Sequence, residues 1–402
     1  MSNNYYSSRR SNSSYQRNSY HSSPSPQRNR GGPKKENINP SRFISAAKEV
    51  DIAPYVATHS FADFEIKPML KANIEAKGFV TPSPIQDQAI PVGLEGKDII
   101  GVANTGTGKT IAFAIPLLNK LITSQHSKAL IIAPTRELAN QISAELRLLA
   151  KNCGIRDAIL IGGSSMGYQL RDLRQKPRVV IGTPGRIKDH IERKTLDIAN
   201  FNIVVLDEVD QMLDMGFVGD MRTILGLMPV QRQSFFFTAT IDNKVNDLIR
   251  DFSKDPITIS VKTGNTTDTV EQNIVMYDSR NQKVDKLHDL LNSNEVSKVL
   301  VFDDTQRSVE KLSNELVLRG FKADAIHGGK SQGHRQRALN KFKASEISIL
   351  VATDVAARGI DVSDISHVIN YSTPKSYNDY VHRIGRTGRA GKRGYALTFI
   401  EK

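Results

Sequence analysis

The segment Ala103-Asn104-Thr105-Gly106-Thr107-Gly108-Lys109-Thr110 packs two glycines, a lysine and three hydroxyls into one short stretch. Glycines let backbone N–H groups curl around a phosphate, and a helix starting there adds partial positive charge. Lys109 then reaches the outer phosphates of a nucleotide, and the Thr110 hydroxyl suits Mg²⁺. Further on, the apolar run Ile203–Leu206 ends in Asp207-Glu208-Val209-Asp210. A carboxylate at a strand end can hold the metal through water and its neighbour can orient an attacking water, roles that suit Asp207 and Glu208. Phosphoryl transfer also needs positive charge on the outgoing phosphate. His382-Arg383-Ile384-Gly385-Arg386-Thr387-Gly388-Arg389 supplies three arginines and a histidine broken by glycines, which look like arginine fingers.

These groups need a scaffold that sets strand ends side by side. From Asp98 onward, short apolar runs alternate with amphipathic stretches. Strands are expected at Asp98–Ala103, Ala129–Ala133, Asp157–Ile161, Arg178–Ile181, Ile203–Leu206 and Ser234–Thr238, with helices such as Thr110–Thr123 and Arg136–Lys151 between them. Near-continuous apolar strands alternating with helices predict an α/β fold with a parallel sheet covered on both faces. The pattern weakens over 261–269, which reads as a linker, and resumes at Asn273–Tyr277, Lys298–Phe302, Ala323–Ile326, Ser348–Ala352, His367–Asn370 and Tyr395–Ile400. Two successive domains follow, 51–260 and 270–402. No G-x-G-x-x-G follows the first strand, which argues against a Rossmann dehydrogenase.

At 402 residues the chain exceeds one ordinary core. Its net charge of +13 points to a polyanionic partner. Residues 1–50 are rich in Ser, Asn and Arg and lack apolar periodicity, so a disordered basic tail is expected. Tyr5, Tyr6, Tyr15 and Tyr20, set among arginines, could stack on bases, or the tail could serve solubility alone. The single cysteine, Cys153, cannot form an internal disulfide, and no segment is apolar enough to span a membrane, so a cytoplasmic location is expected.

With these motifs in this order, the chain resembles the DEAD-box RNA helicases from about Phe61 to its end. The resemblance implies two tandem RecA-like domains, ATP and Mg²⁺ as cofactors, and RNA held mostly by its backbone with little sequence preference. A Q motif spans 59–87; Gln86 would pair with the adenine edge and Phe61 would stack on the base. Ala103–Thr110 is the family's ATP loop, in which Ala103 replaces the general glycine. Thr135 and Arg136 of Pro134–Ala139, Gly163 of Gly162-Gly163, and Thr183 and Arg186 of Thr183–Arg186 resemble RNA-backbone motifs. Thr238-Ala239-Thr240 is similar to the motif that couples nucleotide state to closure. In the second domain, Val301-Phe302, His327-Gly328 and Gln332–Arg335 match RNA-facing and interdomain motifs. Within Val351–Asp361, Thr353 would meet RNA and Asp361 the ATP ribose, and Arg386 and Arg389 align with the family's arginine fingers.

Two positions depart from the family pattern: Val209 stands for Ala and Thr238 for Ser. The extra methyls at 209 would cost about 1–3 kcal/mol if that strand end is tightly packed. The activity expected is RNA-stimulated ATP hydrolysis with local remodelling of RNA. An RNA clamp with vestigial turnover and a DNA-directed helicase are the alternatives.

Overall fold

Strands that are apolar on both sides demand cover on both sides, and the chain provides it twice. The computed structural model describes residues 1, 36, 38–48, 55–104, 106–261, 268–357, 360, 362, 364–389 and 392–402. The first sheet contains β1 (Ile99–Ala103), β2 (Ala129–Ile132), β3 (Asp157–Leu160), β4 (Val179–Gly182), β5 (Ile203–Leu206), β6 (Gln233–Thr238) and β7 (Ile257–Val261). Their spatial order is β3-β4-β2-β5-β6-β1-β7, and the ladders are all parallel. The second sheet contains β8 (Val270–Tyr277), β9 (Val299–Phe302), β10 (Ala323–Ile326), β11 (Ile349–Ala352), β12 (His367–Asn370) and β13 (Gly394–Glu401). It runs β10-β11-β9-β12-β13-β8, again parallel. Both sheets lie in one unit from Glu36 to Lys402.

The period of two along each strand sorts side chains onto two cores per sheet. Ile99, Ile131, Val205 and Phe235 go to one face of the first sheet, while Ile100, Leu130, Val204 and Phe236 go to the other. In the second sheet Leu300, Leu350 and Val368 oppose Val301, Val351 and Ile369. The strands expected in the first sheet each appear with ends moved by no more than a residue. β8 begins three residues earlier than Asn273.

Two expectations needed correction. Sequence reading missed β7, because Ile257-Thr258-Ile259-Ser260-Val261 follows Asp255-Pro256 and sits beside the expected linker. Its alternation marks a sheet edge, with Ile259 and Val261 buried and Thr258 and Ser260 exposed. Val261 therefore ends the first sheet; residues 262–267 of the linker lie outside the described residues. The basic tail, expected to reach residue 50, also ends sooner. Pro40–Phe43 form a 3₁₀ turn, Phe43 is fully buried, and Ser45 pairs with Gln272 of β8. A fully buried phenylalanine contributes about 1.5–3 kcal/mol, which offsets part of the entropy cost of ordering its neighbours. The tyrosines of the tail and residues 2–35 lie outside the described residues.

Candidate active site

Parallel strands bring their C-terminal ends to one edge of a sheet, where ligands of open α/β folds sit. β1 and β5 are separated only by β6, so the loop after β1 and the acids after β5 share that edge. In the loop, Gly106 and Gly108 have φ of 84° and 91°, a left-handed conformation that glycine adopts without strain. Lys109 then opens the helix Lys109–Thr123. Its Nζ is buried and finds no hydrogen-bond acceptor among the described residues.

Gln86 lies at the third position of the helix Pro84–Leu94. Its Oε1 accepts from the Ser83 N–H at 2.9 Å, and its Nε2 donates to the Gly108 carbonyl at 3.1 Å. The Ser83 hydroxyl donates to the Thr107 carbonyl at 2.7 Å. One helix cap thus braces the phosphate loop directly. Thr107 donates in turn to the Asn104 carbonyl at 2.9 Å. Ala103 is buried at the end of β1, and Thr110 is half-buried one residue after Lys109. Thr105 lies outside the described residues. Phe61 is 3% exposed, with the Phe64 ring 5.8 Å away and the Phe79 ring 5.7 Å away.

Asp207 and Glu208 are both buried. The Glu208 N–H donates to Asp207 Oδ1 at 3.0 Å, and Glu208 adopts φ 55° and ψ 55°, rare for a residue with a side chain. Burial raises the Asp207 carboxyl above its usual range, while the Lys109 ammonium opposes the rise. Burial pushes Glu208 up to about 7, with Asp207 adding to the shift and Lys109 and Arg386 opposing it. Glu208 Oε2 is buried without a hydrogen-bond partner among the described residues. An unmatched buried ammonium beside two buried, poorly solvated carboxylates suits a group that is both anionic and metal-bearing. Mg²⁺ with a nucleotide phosphate fits these donors. A cavity of about 390 Å³ is lined by Gly106, Gly108, Lys109, Thr110, Asp207 and Glu208 among others. The larger clefts elsewhere, about 670 Å³ around Lys283 and 1080 Å³ around Asp98, gather no such set.

The second sheet brings its arginines to this edge. Arg386 is 4% exposed; its guanidinium donates to the Ile360 carbonyl at 3.0 Å, and its charge acts on Glu208. Arg389 donates to the Gly385 carbonyl at 3.0 Å. A Cβ added to Gly106 would stand 3.9 Å from Arg389 Cδ, so the finger lies against the phosphate loop. The third arginine of the motif, Arg383, does different work. It is 1% exposed and forks onto Asp354 at 2.5 and 2.8 Å, tying its helix to the segment after β11.

A second cationic group forms around Arg136. Its guanidinium lies over Gly163, where an added Cβ would collide with it at 2.2 Å. Burial, then the charge of Arg335, then that of Arg186, hold Arg136 below its ordinary value, with Glu137 opposing. Arg186 NH1 is buried and has no hydrogen-bond acceptor among the described residues. Like charges collected this way call for phosphate. Thr135 and Thr183 stand at the N-caps of Arg136–Leu149 and Pro184–Glu192, the Thr135 hydroxyl accepting from the Leu138 N–H at 3.2 Å. Thr353 is nearly buried at the end of β11. His327 is turned to Glu310, 2.9 Å from its Nε2, which Lys330 also engages. Asp361 lies outside the described residues.

Two connectors escaped the sequence reading. Asp210 Oδ2 accepts from the Ala239 N–H at 3.1 Å and from the Thr240 N–H and hydroxyl at 3.0 Å. The acid tetrad is thereby wired to the loop after β6. Glu137 pairs with Arg335 at 2.7 Å, with side chains 1% and 7% exposed, and links the two sheets' helices. A buried acid beside the Arg136 motif was the available signal for that pair.

The chain matches the DEAD/DEAH box helicase family over residues 83–248 and the helicase conserved C-terminal domain over 282–391. The DEAD-box ATP-dependent RNA helicase CshA of Bacillus subtilis is 44% identical over 344 residues, covering 85% of this chain and 70% of that protein. The chain belongs to the DEAD-box helicase family. ATP-dependent RNA helicase CshA of Listeria monocytogenes is 44% identical over 342 residues; that alignment spans 85% of this chain and 66% of that protein's length. Among solved structures, S. cerevisiae Dbp5 bound to RNA and ADP BeF3 matches with a TM-score of 0.75 and 28% identity, over 85% of this chain and 90% of that one. Mss116p bound to ssRNA and AMP-PNP matches with a TM-score of 0.77 and 28% identity, over 86% and 75%. Tandem RecA-like domains are thus the fold of this DEAD-box chain. Among its described residues no helix is long and apolar enough to cross a membrane.

Proposed function

We propose that this chain is an RNA-stimulated ATPase that remodels short RNA duplexes or RNA–protein contacts. The observation that carries this reading is the meeting of two sheets at one nucleotide cavity. Lys109, Asp207 and Glu208 come from the first, and Arg386 and Arg389 come from the second to Glu208 and Gly106. In this reading Lys109 binds the outer phosphates of ATP. Thr110 and Asp207 would hold Mg²⁺, which neutralises phosphate charge when bound. Glu208 orients the attacking water. Arg386 and Arg389 meet charge that develops only as the phosphoryl group departs. Arg136 and Arg186 grip RNA by its phosphates, so the RNA sequence matters little. A cytoplasmic setting accords with the half-buried lone thiol, Cys153, whose pKa burial raises.

Glu208→Gln should abolish turnover while ATP-dependent RNA binding persists, and Lys109→Ala should lose both. ATP hydrolysis by Glu208→Gln at the parental rate would overturn the assignment. Competition between matched RNA and DNA strands tests the choice of RNA.

A further inference from the structure

Glu36 and residues 38–48 looked in the sequence like the end of a basic tail, yet they are built into the second domain. Phe43 is fully buried with Val270, Tyr380, Ile384 and Ala396, its ring 4.7 Å from that of Tyr380. The exposed Arg42 guanidinium lies 3.6 Å over the Tyr377 ring. Ser45 and Gln272 exchange both backbone hydrogen bonds, at 3.0 and 2.8 Å, on the edge strand of the sheet. The Glu36 N–H donates to the Lys375 carbonyl, and its carboxylate accepts from the Tyr377 N–H at 3.1 Å. A carboxylate at that place also complements the positive end of the helix it meets.

These contacts converge on one element, the helix Tyr377–Ile384. Its first residue is held by Glu36 and Arg42. Its centre, Tyr380, lies between the Phe43 ring and Gln272, whose Oε1 accepts the tyrosine hydroxyl at 2.9 Å. Arg386 and Arg389 come two and five residues after the end of this helix. The same segment reaches the interdomain connection, where the Lys48 N–H donates to the Asp268 carbonyl at 2.7 Å.

We infer that Glu36 and residues 38–48 form a strap that seats the helix leading to the arginine fingers, with Phe43 and Arg42 as positioning residues for the transfer of the phosphoryl group. This inference rests on the proposed ATPase reading. It assigns the strap no contact with ATP or RNA: the strap acts by fixing the angle from which Arg386 and Arg389 reach the first domain. Small misplacements of groups that act only in the transition state are felt in the rate far more than in binding.

The test uses the full chain with Arg42→Ala, Phe43→Ala and Phe43→Leu, reading RNA-stimulated ATPase at saturating RNA together with the affinity of a fluorescent ADP analogue. Phe43→Ala should lower kcat about tenfold and Arg42→Ala about threefold, with nucleotide affinity unchanged, because Lys109 and its loop lie elsewhere. Phe43→Leu, which refills most of the pocket, should restore most of the rate. Removing residues 1–35 should leave kcat unchanged. If Phe43→Ala fails to fold, a chain lacking residues 1–48 supplemented with the 36–48 peptide carries the test, and recovery of kcat with added peptide is expected. Parental kcat in Arg42→Ala and Phe43→Ala, or a strap-less chain at full rate, would overturn the strap. Absence of RNA-stimulated ATPase in the parental chain would instead overturn the ATPase reading.

Discussion

The two sheets share a parallel, doubly covered architecture but carry opposite chemistry to their common edge. The first supplies glycine-exposed amides, one ammonium and two buried carboxylates, and it holds Glu208 in a left-handed conformation. The second supplies guanidinium groups, braced by backbone carbonyls and by Asp354, and no carboxylate of its own enters the described lining of the nucleotide cavity. Neither half is complete. On the proposed reading, placing binding groups on one domain and charge-stabilising groups on the other makes chemistry conditional on closure, and RNA that spans both domains would then control the rate.

The strongest way to break this division is to remove its second half. Arg386→Ala and Arg389→Ala should each depress RNA-stimulated turnover by about a thousandfold or more while ATP binding by the first domain persists. Steady-state ATPase and equilibrium nucleotide binding, measured on one preparation, decide the matter; equal losses in both would mean that the arginines bind ground-state nucleotide.

Next comes the bond that joins the halves away from the nucleotide. Glu137→Ala or Arg335→Ala strands a buried charge, which costs about 3–5 kcal/mol when its partner is gone. Since the pair exists only when the sheets approach, that cost should appear as loss of RNA-stimulated rate, with the melting of the first domain little changed. The double substitution should be milder than either single one, and simple additivity in a double-mutant cycle would show that the pair is not coupled.

Val209 sharpens the comparison within the first half. It is fully buried with Leu206, Met212 and Phe236, so it serves the core beneath the acids. Val209→Ala should lower stability by about 1–2 kcal/mol, or about 2–8 °C in Tm, while RNA-stimulated ATPase stays intact or rises. A tenfold fall in turnover, about 1.4 kcal/mol of barrier, would show the acid site rebuilt around valine.

The smallest effect concerns His190, fully buried between Thr195 at 2.8 Å and Gln169 at 3.3 Å. Burial lowers its pKa, as does Arg186, whereas Asp189 opposes and Arg193 adds slightly. A base whose folded pKa is depressed stays neutral in the fold but gains a proton once unfolded. Stability should therefore fall as pH drops below the ordinary value of 6.5. His190→Gln should flatten the acid limb of Tm against pH, and an unchanged limb would assign that acid sensitivity elsewhere.

Much of this was readable in one dimension because the chemistry is local. The phosphate loop needs glycines, a lysine and a hydroxyl in one short run, and the acids need only to end an apolar strand. Residue types at such spacing imply Lys109, Asp207 and Glu208, the family resemblance adds Arg386 and Arg389, and alternating apolar runs imply two parallel sheets. The remainder depended on contacts between residues distant in sequence, which carry no periodic signal. Gln86 braces Gly108 because a helix cap happens to abut the loop, Glu137 finds Arg335 across the domains, and Phe61 is claimed by a cluster of rings. Phe43 shows the physical reason most clearly: a single aromatic in a polar stretch has no pattern to announce it. Only the cavity beside Tyr380, formed by segments far along the chain, makes burying it worth the entropy of ordering its neighbours.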